Sequence, residues 1–207
     1  IWCQRGALLG GRCDHPQLTA FDKGHHTGKA AKGHGAQPGN HISGGGGGDT
    51  FIVGQGNNTI DGGSTANGTL SFVNASEAVS IVLTGAGAGT STGTDSGNNT
   101  FTNIKSFIGG SGGDTFKAQA DTGTTAYTYT AGAGNDNING SLASGSSSFN
   151  YFDSTGGKNI AAGDGNDFAF GSSNDDTVLG EAGNDTLQGG AGNDRLDGGA
   201  DQDSLDG

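Results

Sequence analysis

The chain has 207 residues, 45 of them glycine, and a formal net charge of −12. Leu, Ile, Val and Phe together number 34 of the 207, about 16%, below the ~20% at which a highly charged chain is usually disordered. This excludes an ordinary globular core. No run reaches the ~18 apolar residues of a membrane span, and two cysteines are too few for a disulfide scaffold.

Residues 1–34 stand apart. They carry five basic and two acidic side chains, whereas residues 35–207 carry four basic and nineteen acidic, a net −15. The acidic part repels nucleic acid and anionic membranes and attracts divalent cations. The first segment shows no helical or strand period and reads as an irregular leader, a linker or a remnant of another domain. It also holds Cys3, Cys13, His15, His25, His26 and His34, but the Cys3–Cys13 spacing does not suit a zinc site. Ile1 is not followed by the basic and apolar stretches of a signal peptide. The chain has no methionine, and Gly207 looks like the first residue of a further repeat. We expect a fragment of a longer protein.

Residues 35–207 are predicted to form one stack with an irregular block at 62–108. Three nine-residue units come first, Gly35–Ser43, Gly44–Ile52 and Val53–Asp61. Position eight is apolar (Ile42, Phe51, Ile60), and position six is Asn40, Asp49 and Asn58. In the irregular block, Thr69–Val73 and Ala78–Leu83 read as strands. The Gly, Ala, Ser and Thr-rich tract Gly85–Asn99 reads as a loop. Phe101–Ile108 reads as one strand leading into the unit Gly109–Lys117, with Asp114 at position six. These are taken as longer rungs of the same stack. Tyr127–Thr130 is strand-like, and Ala131–Asn139 is a clear unit with Asp136 and Ile138.

From Ser144 to Asp206 the nine-residue period is unbroken. Its first two units carry Phe149 and Lys158 at position six in place of an acid. The last five, Ala162–Phe170, Gly171–Leu179, Gly180–Gln188, Gly189–Asp197 and Gly198–Asp206, hold Asp167, Asp176, Asp185, Asp194 and Asp203 there. Glycines let the first six residues turn tightly with their carbonyls converging, and the last three form a strand too short to stand alone. Two units then complete one coil. Tyr151, Ala169, Leu187 and Leu205 stack on one side and Ile160, Val178 and Leu196 on the other, at ~4.8 Å per rung.

The same count stacks Asp167, Asp185 and Asp203 at one edge and Asp176 with Asp194 at the other. Carboxylates so close cannot all stay charged without a cation between them. Hard oxygen ligands, with no His or Cys, favour calcium, and magnesium would keep its waters. Three sites are predicted: Asp167/Asp185, Asp185/Asp203 and Asp176/Asp194. The turn carbonyls of Gly165, Gly183 and Gly192 are candidate ligands beside them. Lys158 should block the site it would share with Asp176. Asp49, Asp114 and Asp136 are candidate ligands in the earlier units, where neutral Asn40 and Asn58 dilute the charge.

Gly189–Asp197 matches every position of Gly-Gly-x-Gly-x-Asp-x-apolar-x, and the chain resembles the RTX, or haemolysin-type, calcium-binding repeat family. The resemblance implies an all-β fold, a parallel β-roll (a right-handed β-solenoid) with calcium in the turns. It implies a secreted or cell-surface protein exported by a type I secretion apparatus, unfolded in calcium-poor cytosol and folding outside. Family members attach such rolls to metalloproteases, lipases and alginate epimerases. This chain has no His-Glu-x-x-His and no nucleophile elbow, and Asp153 and Asp164 sit in turn context, so a non-enzymatic calcium module is expected. The alternatives are the non-catalytic part of a secreted enzyme, or a repeat segment of an adhesin or S-layer.

Overall fold

The computed structural model describes residues 30–32, 41–64, 67–118, 126–140, 148–152 and 156–207. The cysteines, four of the histidines, Asn40 and Asp153 lie outside them. Among the described residues the chain is all β, with nineteen strands in two sheets and no helix. The first strand, Ala30–Lys32, pairs in parallel with Thr50–Ile52.

In the regular units a short strand buries only its central residue, as in Thr50–Ile52, Phe168–Phe170 and Thr186–Gln188. Three residues bury too little to fold alone, so each strand is held by the strands above and below it. Successive units alternate between the two sheets. Tyr151 pairs with Ala169, Ala169 with Leu187 and Leu187 with Leu205. On the other side Ile160 pairs with Val178 and Val178 with Leu196. Both columns follow the order expected from the repeat.

Glycine is required where one turn rests on the next. Gly183 adopts a φ of 130°, a region closed to most side chains, and a Cβ there would collide with the carbonyl oxygen of Gly165. Gly183→Ala should therefore destabilise the chain by at least ~1–3 kcal/mol, the usual cost of such backbone strain. Chemical denaturation at fixed calcium measures it, and an unchanged midpoint would contradict the stacking of these two turns.

The block at 62–108 belongs to the same stack, with two departures from expectation. The tract read as a loop is β structure: Val79–Gly85, Ala88–Gly93 and Gly97–Thr102 form an antiparallel meander. Its strands alternate as half-buried sheets do, with Gly89, Ser91 and Asn99 inward and Thr90, Thr92, Thr100 and Thr102 outward. Small inward residues hide that alternation from a hydrophobicity reading. The stretch Phe101–Ile108 is two strands, because Asn103 turns the chain at a φ of 58° and sends Ile104–Ile108 into the opposite sheet. The meander joins the ten-stranded sheet through parallel pairing at both ends, to Thr59–Asp61 and to Thr115–Ala118. On the other sheet, Gly68–Ser71 pairs directly with Ile104–Ile108.

The core is thickest in the middle. Phe116 is fully buried, with ring centroids at 4.9 Å from Tyr129, 5.5 Å from Phe107, 6.2 Å from Phe149 and 6.4 Å from Tyr151. Toward the C-terminal end the inward residues shrink to Ala169, Val178 and Leu187, then Leu196 is only partly buried and Leu205 is exposed.

Candidate metal centre

The position-six residues line the turns by one repeated hydrogen bond. From Asp136 onward, the Oδ1 of each position-six aspartate accepts the backbone N–H of the position-six residue one turn earlier. Asp167 N–H donates to Asp185 at 2.8 Å, Asp185 N–H to Asp203 at 3.0 Å and Asp176 N–H to Asp194 at 3.0 Å, each pair eighteen residues apart. The predicted pairs therefore do meet in adjacent turns. The same bond links Phe149 N–H to Asp167 at 2.7 Å, Lys158 N–H to Asp176 at 2.6 Å and Asp114 N–H to Asp136 at 2.6 Å.

With Oδ1 committed to the ladder, the partner of Oδ2 decides what each aspartate can hold. The Oδ2 atoms of Asp167 and Asp185 are buried with no hydrogen-bond partner. An uncompensated carboxylate oxygen in such a place is strongly disfavoured unless a proton or a cation reaches it. Burial accordingly pushes Asp167 up to about 7, with the charge of Asp185 adding to the effect, and raises Asp185 as well. Asp203 is half-buried at the far end of this column.

In Asp176 and Asp114 Oδ2 is already engaged. In Asp176 it accepts the Ser172 N–H at 2.6 Å and hydroxyl at 3.2 Å, so the Asp176/Asp194 pair offers a cation less. In Asp114 it accepts the Gly110 N–H at 2.6 Å, while Oδ1 takes the Val79 N–H at 2.8 Å. Burial still raises Asp114 to about 6. Asp49 is buried, but the residue beside it in the next turn is Gly68, since Thr50 pairs with Thr69. Asn58 forms an amide pair with Asn99 at 2.7 Å, and Asn99 in turn reaches Ser91 and the Ser96 carbonyl.

Lys158 departs from expectation. Its ammonium points away from Asp176, toward the turn before it. There it donates to Asp136 Oδ2 and to the Gly134 carbonyl, both at 2.6 Å, with both side chains fully buried. Counting units in one direction did not reveal this, because a long side chain at position six can reach back across a turn of 22 residues.

Glycine at position one makes room for the carboxylates. A Cβ on Gly180, Gly189 or Gly198 would strike the carboxylate of Asp185, Asp194 or Asp203, five residues on in each case. Beside them Gly183 sits over the Gly165 carbonyl and Gly192 over that of Asn174. Among the described residues no three His, Cys, Asp or Glu side chains gather at one point. A bound ion would thus take about two carboxylates and draw its remaining ligands from backbone oxygens, an all-oxygen set suited to calcium. The orphaned oxygens of Asp167 and Asp185 fit that role.

No curated protein and no solved structure gives a significant match to the chain. The RTX calcium-binding nonapeptide repeat matches it in four copies, over residues 39–67, 128–143, 155–187 and 179–207. The interval between the first two copies contains the meander, and the last two cover the aspartate columns. The chain thus carries the RTX calcium-binding nonapeptide repeat in four copies, set on a parallel two-sheet roll.

Proposed function

We propose that this chain is a calcium-gated folding module of a secreted bacterial protein. It stays unfolded where calcium is scarce and folds once exported. The observation that carries this reading is the pair of buried, partnerless Oδ2 atoms on Asp167 and Asp185 in adjacent turns. The C-terminal turns have the smallest core and the densest aspartates. Without a cation the repulsion there outweighs the burial, and with one the binding free energy becomes folding free energy. Sites of extracellular calcium modules bind at ~10⁻⁴–10⁻³ M, a level met outside cells and not in cytosol.

The role is non-catalytic. The module would stabilise whatever domain the parent protein carries, and a type I secretion apparatus would export the full-length protein unfolded. Circular dichroism during calcium titration tests the coupling. Calcium should convert coil signal to β signal, a chelator should reverse it, and magnesium at the same concentration should not reproduce it. A spectrum unchanged through millimolar calcium would sink the proposal.

A further inference from the structure

We propose that the Lys158 ammonium is a permanent internal cation, standing where other turns of this roll need calcium, so that the turns around Asp136 hold together without metal. The inference rests on the reading of the tail as calcium-binding.

The two atoms that hold the ammonium are the argument. Gly134 and Asp136 are positions four and six of the unit Ala131–Asn139. They correspond to Gly165 with Asp167, Gly183 with Asp185 and Gly192 with Asp194, the residues nominated for calcium in the tail. The ammonium contacts the position-four carbonyl and the position-six carboxylate together. A +1 charge with three donors can replace a divalent ion here because Lys158 itself removes the second carboxylate that position six would otherwise supply. The pair is sealed from water, where losing one partner leaves the other charge stranded.

The opposite edge of the same turn is closed differently. Position six there is Phe149, whose buried ring stacks on Tyr127 at 5.4 Å and on Tyr151 at 5.7 Å. The Asp167 column therefore stops at an aromatic ring, and the Asp176 column stops at a lysine. N-terminal to this level, Asn58, Asp114 and Asp136 all have protein partners. C-terminal to it, Asp167 and Asp185 have partnerless oxygens. Phe149 and Lys158 thus separate the Asp114 and Asp136 turns, completed by the protein's own groups, from the Asp167 and Asp185 turns, which metal would complete.

Hydrogen exchange of the full chain in chelator tests the division. Amides of Asp136–Asn139 and Lys158–Asp164 should stay protected while those of Thr186–Gln188 and Ser204–Asp206 exchange freely. Equal exchange in both regions overturns the inference. Lys158→Asp provides a second readout. It should make the Asp136–Asn139 amides depend on calcium and raise the bound calcium, by equilibrium dialysis, by one ion per chain. Lys158→Gln, which keeps the reach without the charge, should lose protection in chelator. If Lys158→Asp binds the same number of ions as the parent chain and its protection is unmoved by chelator, the lysine is not a calcium substitute. If Lys158→Asp fails to fold even in calcium, the exchange pattern of the parent chain decides. A parent chain that binds no calcium at all would refute the tail's function, whereas bound calcium with unprotected middle strands would refute only the role of Lys158.

Discussion

Asp185→Ala is expected to remove two calcium ions from the chain, and Asp203→Ala only one. Asp185 lies between two neighbours in its column, accepting the Asp167 N–H and donating its own N–H to Asp203. Its carboxylate would thus be shared by the proposed Asp167/Asp185 and Asp185/Asp203 sites, while Asp203 ends the column. At a calcium concentration ten times Kd, each site contributes about 1.4 kcal/mol by mass action. The two variants should therefore lose about 3 and about 1.4 kcal/mol of calcium-dependent stability. Calorimetric titration gives the number of ions, and denaturation at fixed calcium gives the energies. Equal losses in both variants would rule out the eighteen-residue register.

Phe116→Ala should cost about 3–5 kcal/mol, the usual range for deleting a fully buried aromatic ring. Phe116, on the ten-stranded sheet, contacts four rings of the nine-stranded sheet, so its removal opens a cavity that several neighbours cannot close together. The two substitutions should differ in kind. The loss at Phe116 should be the same at low and saturating calcium, because its surroundings contain no unpaired position-six carboxylate. The loss at Asp185 should vanish as calcium is withdrawn. Paired denaturation curves at two calcium levels separate them, and a loss under ~1 kcal/mol at Phe116 would mean that the rings are not tightly packed.

The tail was legible from the sequence because its chemistry and its period coincide. A fixed nine-residue unit determines which sheet each strand joins, and the register pairs Leu187 with Leu205 and Val178 with Leu196 as the count requires. The middle was less legible for two physical reasons. The meander is made of Gly, Ser and Thr, whose inward and outward faces differ in size more than in polarity, so strand and loop look alike. The alternation of Thr90, Thr92, Thr100 and Thr102 on the outer face was the available signal. The turns there also lengthen to 22 residues, which defeats counting by eighteens. For the site, spacing identified the paired aspartates but not their second oxygens. Ser172 at position two and the reach of Lys158 determine those, and both depend on side-chain direction.

The meander also has a mechanical meaning. A stack of identical rungs has two sides of equal length and grows as a straight rod. Here one side carries three strands, Val79–Gly85, Ala88–Gly93 and Gly97–Thr102, between Thr59–Asp61 and Thr115–Ala118. Over the same interval the other side joins Gly68–Ser71 directly to Ile104–Ile108. One strand would suffice to keep pace, so the first side is longer by two strand spacings, about 10 Å. Joined to both neighbours by unbroken pairing, the meander makes a fixed step between the first units and the aspartate-rich units that follow.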